Sequence, residues 1–138
     1  MHILTPSGSK RHEQTTILIV EDDEDNLLYL TSALGLFNYH YFAAKDAISG
    51  LSLAQTKQPD LILLDIKMPQ ISGIELVKTL KMDWLTRSIP VVAITALARE
   101  QEKNSILAAG FDGYLVKPFL LEDLEQAICS HLVCKHLP

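Results

Sequence analysis

The chain has 138 residues, with 12 Lys and Arg against 17 Asp and Glu and a formal net charge of -5. That length holds one domain of ordinary size, since domains commonly run to about 100–150 residues. Hydrophobic residues make up 48% and charged residues 21%, which excludes wholesale disorder, and the acidic surplus offers no positive field to nucleic-acid phosphates.

Residues 1–15, MHILTPSGSKRHEQT, are polar, carry Pro6 and Gly8, and predict a flexible arm. Thr16-Ile17-Leu18-Ile19-Val20 is apolar and β-branched without polar alternation, as a strand buried on both faces requires. It stops at Glu21-Asp22-Asp23-Glu24-Asp25. A helix is predicted from about Asp25 to Phe37, with Leu27, Leu28, Leu30, Leu34 and Phe37 as its apolar stripe. Tyr39–Ala43 reads as a strand and Ala44–Lys57 as a helix with Ala47, Ile48, Leu51 and Ala54 on one face. Leu61-Ile62-Leu63-Leu64 is a second fully apolar strand, ending at Asp65. Ser72, with Glu75 three residues on, makes a capping box for a helix to about Met82. Val91-Val92-Ala93-Ile94 is a strand ending at Thr95, and Arg99–Ala109 a helix closed by Gly110. Tyr114-Leu115-Val116 is the last strand, and Leu121–Val133 a helix with Leu124, Ile128, Leu132 and Val133 inward.

Strands alternating with helices five times predict an α/β fold with a doubly wound parallel sheet, because parallel neighbours need crossover connections. Ligands of such sheets sit beyond the carboxyl ends of the strands. Glu21, Asp22, Asp65, Thr95 and Lys117 stand just past those ends. Clustered carboxylates repel unless a cation joins them, and oxygen ligands from Asp22, Asp65 and a backbone carbonyl suit magnesium. Lys117 and Thr95 remain to receive an anion. Acids that need a metal, beside donors that need an anion, describe a phosphoryl-transfer site.

Four runs carry a resemblance: Ile17–Glu24, Leu61–Pro69, Ile94-Thr95-Ala96 and Ala109–Phe119. Together, over about residues 16–133, they resemble the receiver domains of bacterial two-component response regulators. The resemblance implies a flavodoxin-like (βα)5 sheet in strand order 2-1-3-4-5. It makes Asp65 the phosphoacceptor for a phosphohistidine donor, with Mg2+ held by Asp22, Asp65, Glu21 through water, and the Lys67 backbone carbonyl. Thr95 and Lys117 would bind phosphoryl oxygens. Lys117-Pro118 would be cis, and Tyr114 would be the aromatic switch coupled to Thr95. The implied partners are a sensor histidine kinase or histidine phosphotransfer protein and a downstream protein, with neither nucleic acid nor membrane. The resemblance also implies a cytoplasmic monomer or weak phosphorylation-dependent dimer that assists its own phosphotransfer and dephosphorylation without being a separate enzyme.

Three residues shape this expectation further. Glu21 stands where many relatives carry Asp. Lys67 puts a cation beside the acids, and its ammonium is expected to pair with Glu21 or Asp65 in the metal-free state. Leu97, two residues after Thr95, cannot orient an attacking water, so slow autodephosphorylation is expected. Asp23, Glu24 and Asp25 read as a solvated helix start. Cys129 and Cys134 form no disulfide framework, and His131 and His136 have poor spacing for a shared metal. No window reaches the ~20 apolar residues of a membrane span. With a short tail at 134–138, the reading is a stand-alone regulator. Its alternatives are a segment of a hybrid kinase or multidomain regulator, a phosphoryl-relay intermediate, an aspartyl-phosphate hydrolase and a flavin binder. Lys67 replaces the second Asp such hydrolases carry, and five consecutive acids after the first strand would repel a flavin phosphate.

Overall fold

The central strands are apolar at every position because both of their faces are covered. The computed structural model describes residues 15–96 and 99–136, with side chains through Leu132. In chain order the elements are β1 (Thr16–Val20), α1 (Glu24–Leu36), β2 (His40–Ala44), α2 (Ala47–Lys57) and β3 (Leu61–Asp65). Then follow α3 (Gly73–Met82), β4 (Val91–Thr95), α4 (Glu100–Ala109), β5 (Gly113–Val116) and α5 (Leu121–His136). All pairings are parallel, and the strand order is β2-β1-β3-β4-β5. The expected doubly wound, flavodoxin-like sheet is therefore the fold.

Alternate strand residues feed two cores. Leu18, Val20, Ile62 and Leu64 face α2, α3 and α4, where Ala54, Leu76, Val77, Leu80 and Ile106 meet them. Ile17, Ile19, Leu61 and Leu63 face α1 and α5, against Leu30, Leu34, Leu124, Ile128 and Leu132. A side-chain period of two in the strands thus sends each apolar run to both layers.

Local chemistry moves several boundaries from where the pattern puts them. α1 begins at Glu24 rather than at about Asp25, capped by Asp23, which accepts from the Asn26 N–H at 2.8 Å. α2 begins at Ala47 rather than Ala44, because Asp46 caps it through the Ser49 N–H and β2 runs on to Ala44, paired with Val20. Two stripe residues are out of phase: Leu28 and Ile48 are exposed. On α2 the buried line is Ala47, Gly50 and Ala54, and a Cβ at Gly50 would lie 2.9 Å from Val20 Cγ2. That helix sits too close to the sheet for a larger residue there. The capping box at Ser72 and Glu75 forms as read, and α5 continues to His136, into the segment expected as a tail. Of the arm expected at 1–15, residues 1–14 lie outside the described residues, as do Leu97 and the Val133 and Cys134 side chains, while Thr15 is buried and its O accepts from the His40 N–H at 3.0 Å.

Candidate functional site

Four strand ends build the site. The Glu21 N–H donates to Ala44 O at 2.9 Å, so the β1–β2 ladder extends one residue past Val20 and fixes where Glu21 starts. Asp65 ends β3 and is paired in register with Ile94. Thr95 ends β4 opposite Val116, and the Lys117 N–H donates to Thr95 O at 2.7 Å. Carboxylate oxygens of Glu21, Asp22 and Asp65 lie within 4.8 Å of one another. Glu21 and Asp65 are buried and Asp22 is the more open of the three.

Lys117 is the ammonium that reaches this cluster, 3.7 Å from Asp65 Oδ1 and 3.8 Å from Glu21 Oε1. This corrects the expectation for Lys67, whose side chain is exposed. Strand alternation would put Lys67 on the side of Asp65, but β3 ends at Asp65, and in the connection that follows the Lys67 side chain turns to solvent. Its backbone still belongs to the site, the Lys67 N–H donating to Asp65 Oδ1 at 3.3 Å. The Lys117–Pro118 peptide is cis.

The acids are electrostatically frustrated. Glu21 Oε2 accepts from the Asp23 N–H at 3.1 Å, but its Oε1 is buried with no hydrogen-bond partner. Burial, and after it the neighbouring Asp65 carboxyl, push the Glu21 pKa up to about 7. The Asp23 N–H and, more weakly, the Lys117 charge oppose that rise. A buried carboxylate oxygen without a donor is a group that a cation would satisfy. Oxygen donors on three acids suit a hard divalent cation, a class that includes magnesium.

Thr95 is buried at the same edge. Tyr114 is not gathered with these residues. It pairs with Ala93, two positions back from the end of β4, and packs half-buried against the α2–α4 core. Lys103 Nζ lies 5.8 Å above its ring. Beside the acids a cleft of about 530 Å3 opens between α1 and the β5–α5 connection, with Glu21, Asn26, Tyr29, Lys117 and Phe119 in its walls.

One position the motif reading missed is Gly73. A Cβ there would lie 2.5 Å from Asp65 O and 2.8 Å from Ile66 Cα, and the Gly73 N–H donates to Ile66 O at 2.9 Å. The first residue of α3 therefore presses on the backbone that carries Asp65. Its signal in the sequence is only a glycine directly after a capping serine.

Comparison with known proteins agrees with this geometry. The model of the response regulator receiver domain matches residues 17–129. The chain is 35% identical over 117 residues to the polar-differentiation response regulator DivK of Brucella anthropi, spanning 85% of this chain and 95% of that protein. The chemotaxis protein CheY4 of Vibrio cholerae superposes with a TM-score of 0.81 at 29% identity, over 86% of this chain and 98% of that one. The receiver domain of a sensor histidine kinase from Pseudomonas aeruginosa, which holds a magnesium ion in its active-site cleft, gives 0.81 at 27% identity over the same shares. The chain belongs to the family of response regulator receiver domains.

Proposed function

We propose that this chain is a single-domain response regulator whose Asp65 accepts a phosphoryl group from the phosphohistidine of a sensor histidine kinase or histidine phosphotransfer protein. The observation that carries this is the position of Asp65: buried at a strand end, within 4.8 Å of two further acids and 3.7 Å from Lys117. An Asp65 carboxylate oxygen attacks phosphorus, the P–N bond to the donor imidazole breaks, and the imidazole nitrogen keeps the electron pair and takes up a proton. Lys117 then offers its ammonium to a phosphoryl oxygen in place of the carboxylates it now faces, and the Thr95 hydroxyl offers a second donor. Glu21, Asp22, Asp65 and the Lys67 carbonyl would hold Mg2+. When bound, that ion neutralises the acids and offsets charge on the transferred group.

Because phosphoryl contacts to Thr95 and Lys117 exist only after transfer, they bias the packing of β5, and Tyr114 on that strand is the switch residue. Output then passes through protein contacts on α4, β5 and α5, in a cytoplasmic protein that is a monomer or a weak phosphorylation-dependent dimer. Among the described residues no helix is long and apolar enough to cross a membrane. Residues 16–133 form the receiver, with short flanking segments at 1–15 and 134–138, the end of α5 reaching into the second.

The test is incubation with acetyl phosphate with and without Mg2+, read by intact mass. The parent should gain one phosphoryl group only with the metal, and Asp65→Asn none. A parent whose mass never changes, with phosphorylated histidine kinase as donor too, would leave a docking module without phosphoacceptor chemistry.

A further inference from the structure

The connection between α3 and β4 carries an apolar surface that phosphoryl chemistry does not use. Met82 is 85% exposed, Trp84 76% and Leu85 38%, and Trp84 is the sole tryptophan. The turn beneath them is fixed. Asp83 Oδ1 accepts from the Leu85 N–H at 3.0 Å, and its Oδ2 from Gln55 Nε2 at 2.7 Å. Buried Thr86 donates its hydroxyl to Leu80 O at 2.7 Å, and Lys81 Nζ donates to Ile89 O at 2.9 Å. A tryptophan on a fixed turn has only its two side-chain torsions to lose when it is covered, and it is among the residue types most enriched where binding energy concentrates.

The position of the turn selects its occupant. It lies at the edge where the strands begin, opposite the acids. β1 begins at that edge too: Asp60 N–H donates to Thr16 O, and Ile62 N–H to Pro90 O, so β1, β3 and β4 start side by side. Two strand spacings, about 10 Å, separate the start of β1 from that of β4. Residues 1–14 therefore join the domain next to the turn. They offer Met1, Ile3 and Leu4 as apolar side chains, followed by a polar run from Thr5 to Gln14 with Pro6 and Gly8. A flexible run of that length has a root-mean-square span of about 17–19 Å. This covers the step across the strands and the projection of the turn. A segment tethered this way meets its site at an effective concentration of about a millimolar, which favours it over a second molecule at micromolar levels.

We propose that the N-terminal segment Met1–Leu4 docks on the Met82–Trp84–Leu85 turn of its own chain. The contact is independent of phosphorylation and sits on the face away from Asp65.

Trp84 reports on it directly. In the full chain, acrylamide quenching of Trp84 fluorescence should be weak and its emission blue-shifted relative to free indole in water. The full-length double variant Ile3→Ser, Leu4→Ser should shift emission to the red and raise the quenching constant about twofold, as expected if roughly half of the indole surface is uncovered. Identical quenching in parent and variant overturns the proposal. So does protection in the parent that disappears on dilution together with a halving of mass in light scattering, because the cover is then a second copy. Unchanged far-UV circular dichroism confirms that the variant is folded. Trp84→Phe should leave acetyl-phosphate labelling of Asp65 intact, which separates this contact from the phosphoacceptor reading.

Discussion

Helices α3 and α4 lie side by side over the same face of the sheet and are held to it very differently. α3 buries Gly73, Leu76, Val77 and Leu80, has a complete capping box, and abuts the backbone of Asp65 through Gly73. α4 buries Ile106 alone, and the strand beside it, β5, is buried at only one of its positions, whereas β3 and β4 are buried throughout. Lys103 on α4 and Tyr114 on β5 touch through a cation over a ring rather than through packed aliphatic surface. Segments with few buried apolar contacts open at lower cost. Asp65, the proposed phosphoacceptor, is thus mounted on the stiff half of this face, and the more loosely packed half lies next to it.

The largest expected effect contrasts the same chemistry in the two helices. Leu80→Ala in α3 should cost about 3 kcal/mol, because it leaves a cavity in a fully buried site, while Leu107→Ala on the exposed side of α4 should cost less than about 1 kcal/mol. Urea denaturation of both measures the difference, and similar losses would erase the distinction drawn here.

Next comes the pH dependence stored beside α3. Glu21 titrates near 7 in the folded chain against an ordinary value of 4.5. The folded state therefore holds the proton more tightly than the unfolded one, and this contribution is fully present below about pH 4.5. Metal-free protein should lose on the order of 2–3 kcal/mol as pH rises from about 4.5 to 7. Glu21→Gln should flatten that slope, and Mg2+ should offset it in the parent by binding the ionised acid. Parallel slopes for parent and Glu21→Gln would locate the frustration elsewhere.

Gly73→Ala should destabilise by about 2 kcal/mol, since backbone rather than a flexible side chain must give way. Acetyl-phosphate labelling of Asp65 should slow along with it. A variant that labels at the parent rate would mean α3 does not position the acceptor. The smallest effect belongs to the more loosely packed half. Lys103→Met should cost about 0.5 kcal/mol, the worth of an exposed cation–ring contact, and that loss should shrink at high salt.

Much of this was legible from residue order. The apolar runs at Ile17–Val20 and Leu61–Leu64 could only be strands covered on both sides, and each ends in acid. Ser72 and Glu75 announced the start of α3. The failures share a cause. Leu28 and Ile48 read as stripe residues because they are apolar and nearly in phase, but which face of a helix meets the sheet depends on the angle at which it packs. Nearness in sequence points to Lys67 as the partner of the acids, whereas Lys117, 52 positions beyond Asp65, is the cation that reaches them.

The sequence by itself determined the alternation of strands and helices, the parallel sheet, and the identity of the groups at its carboxyl edge. Periodicity and strand length are local properties, written into runs of four or five residues. Only the tertiary structure decided that Lys117 and not Lys67 neutralises the acids, that Glu21 keeps a buried oxygen without a donor, and that Gly73 bears on Asp65. Those depend on distances between segments that are remote in the chain, and such distances exist only once the sheet has brought their ends together.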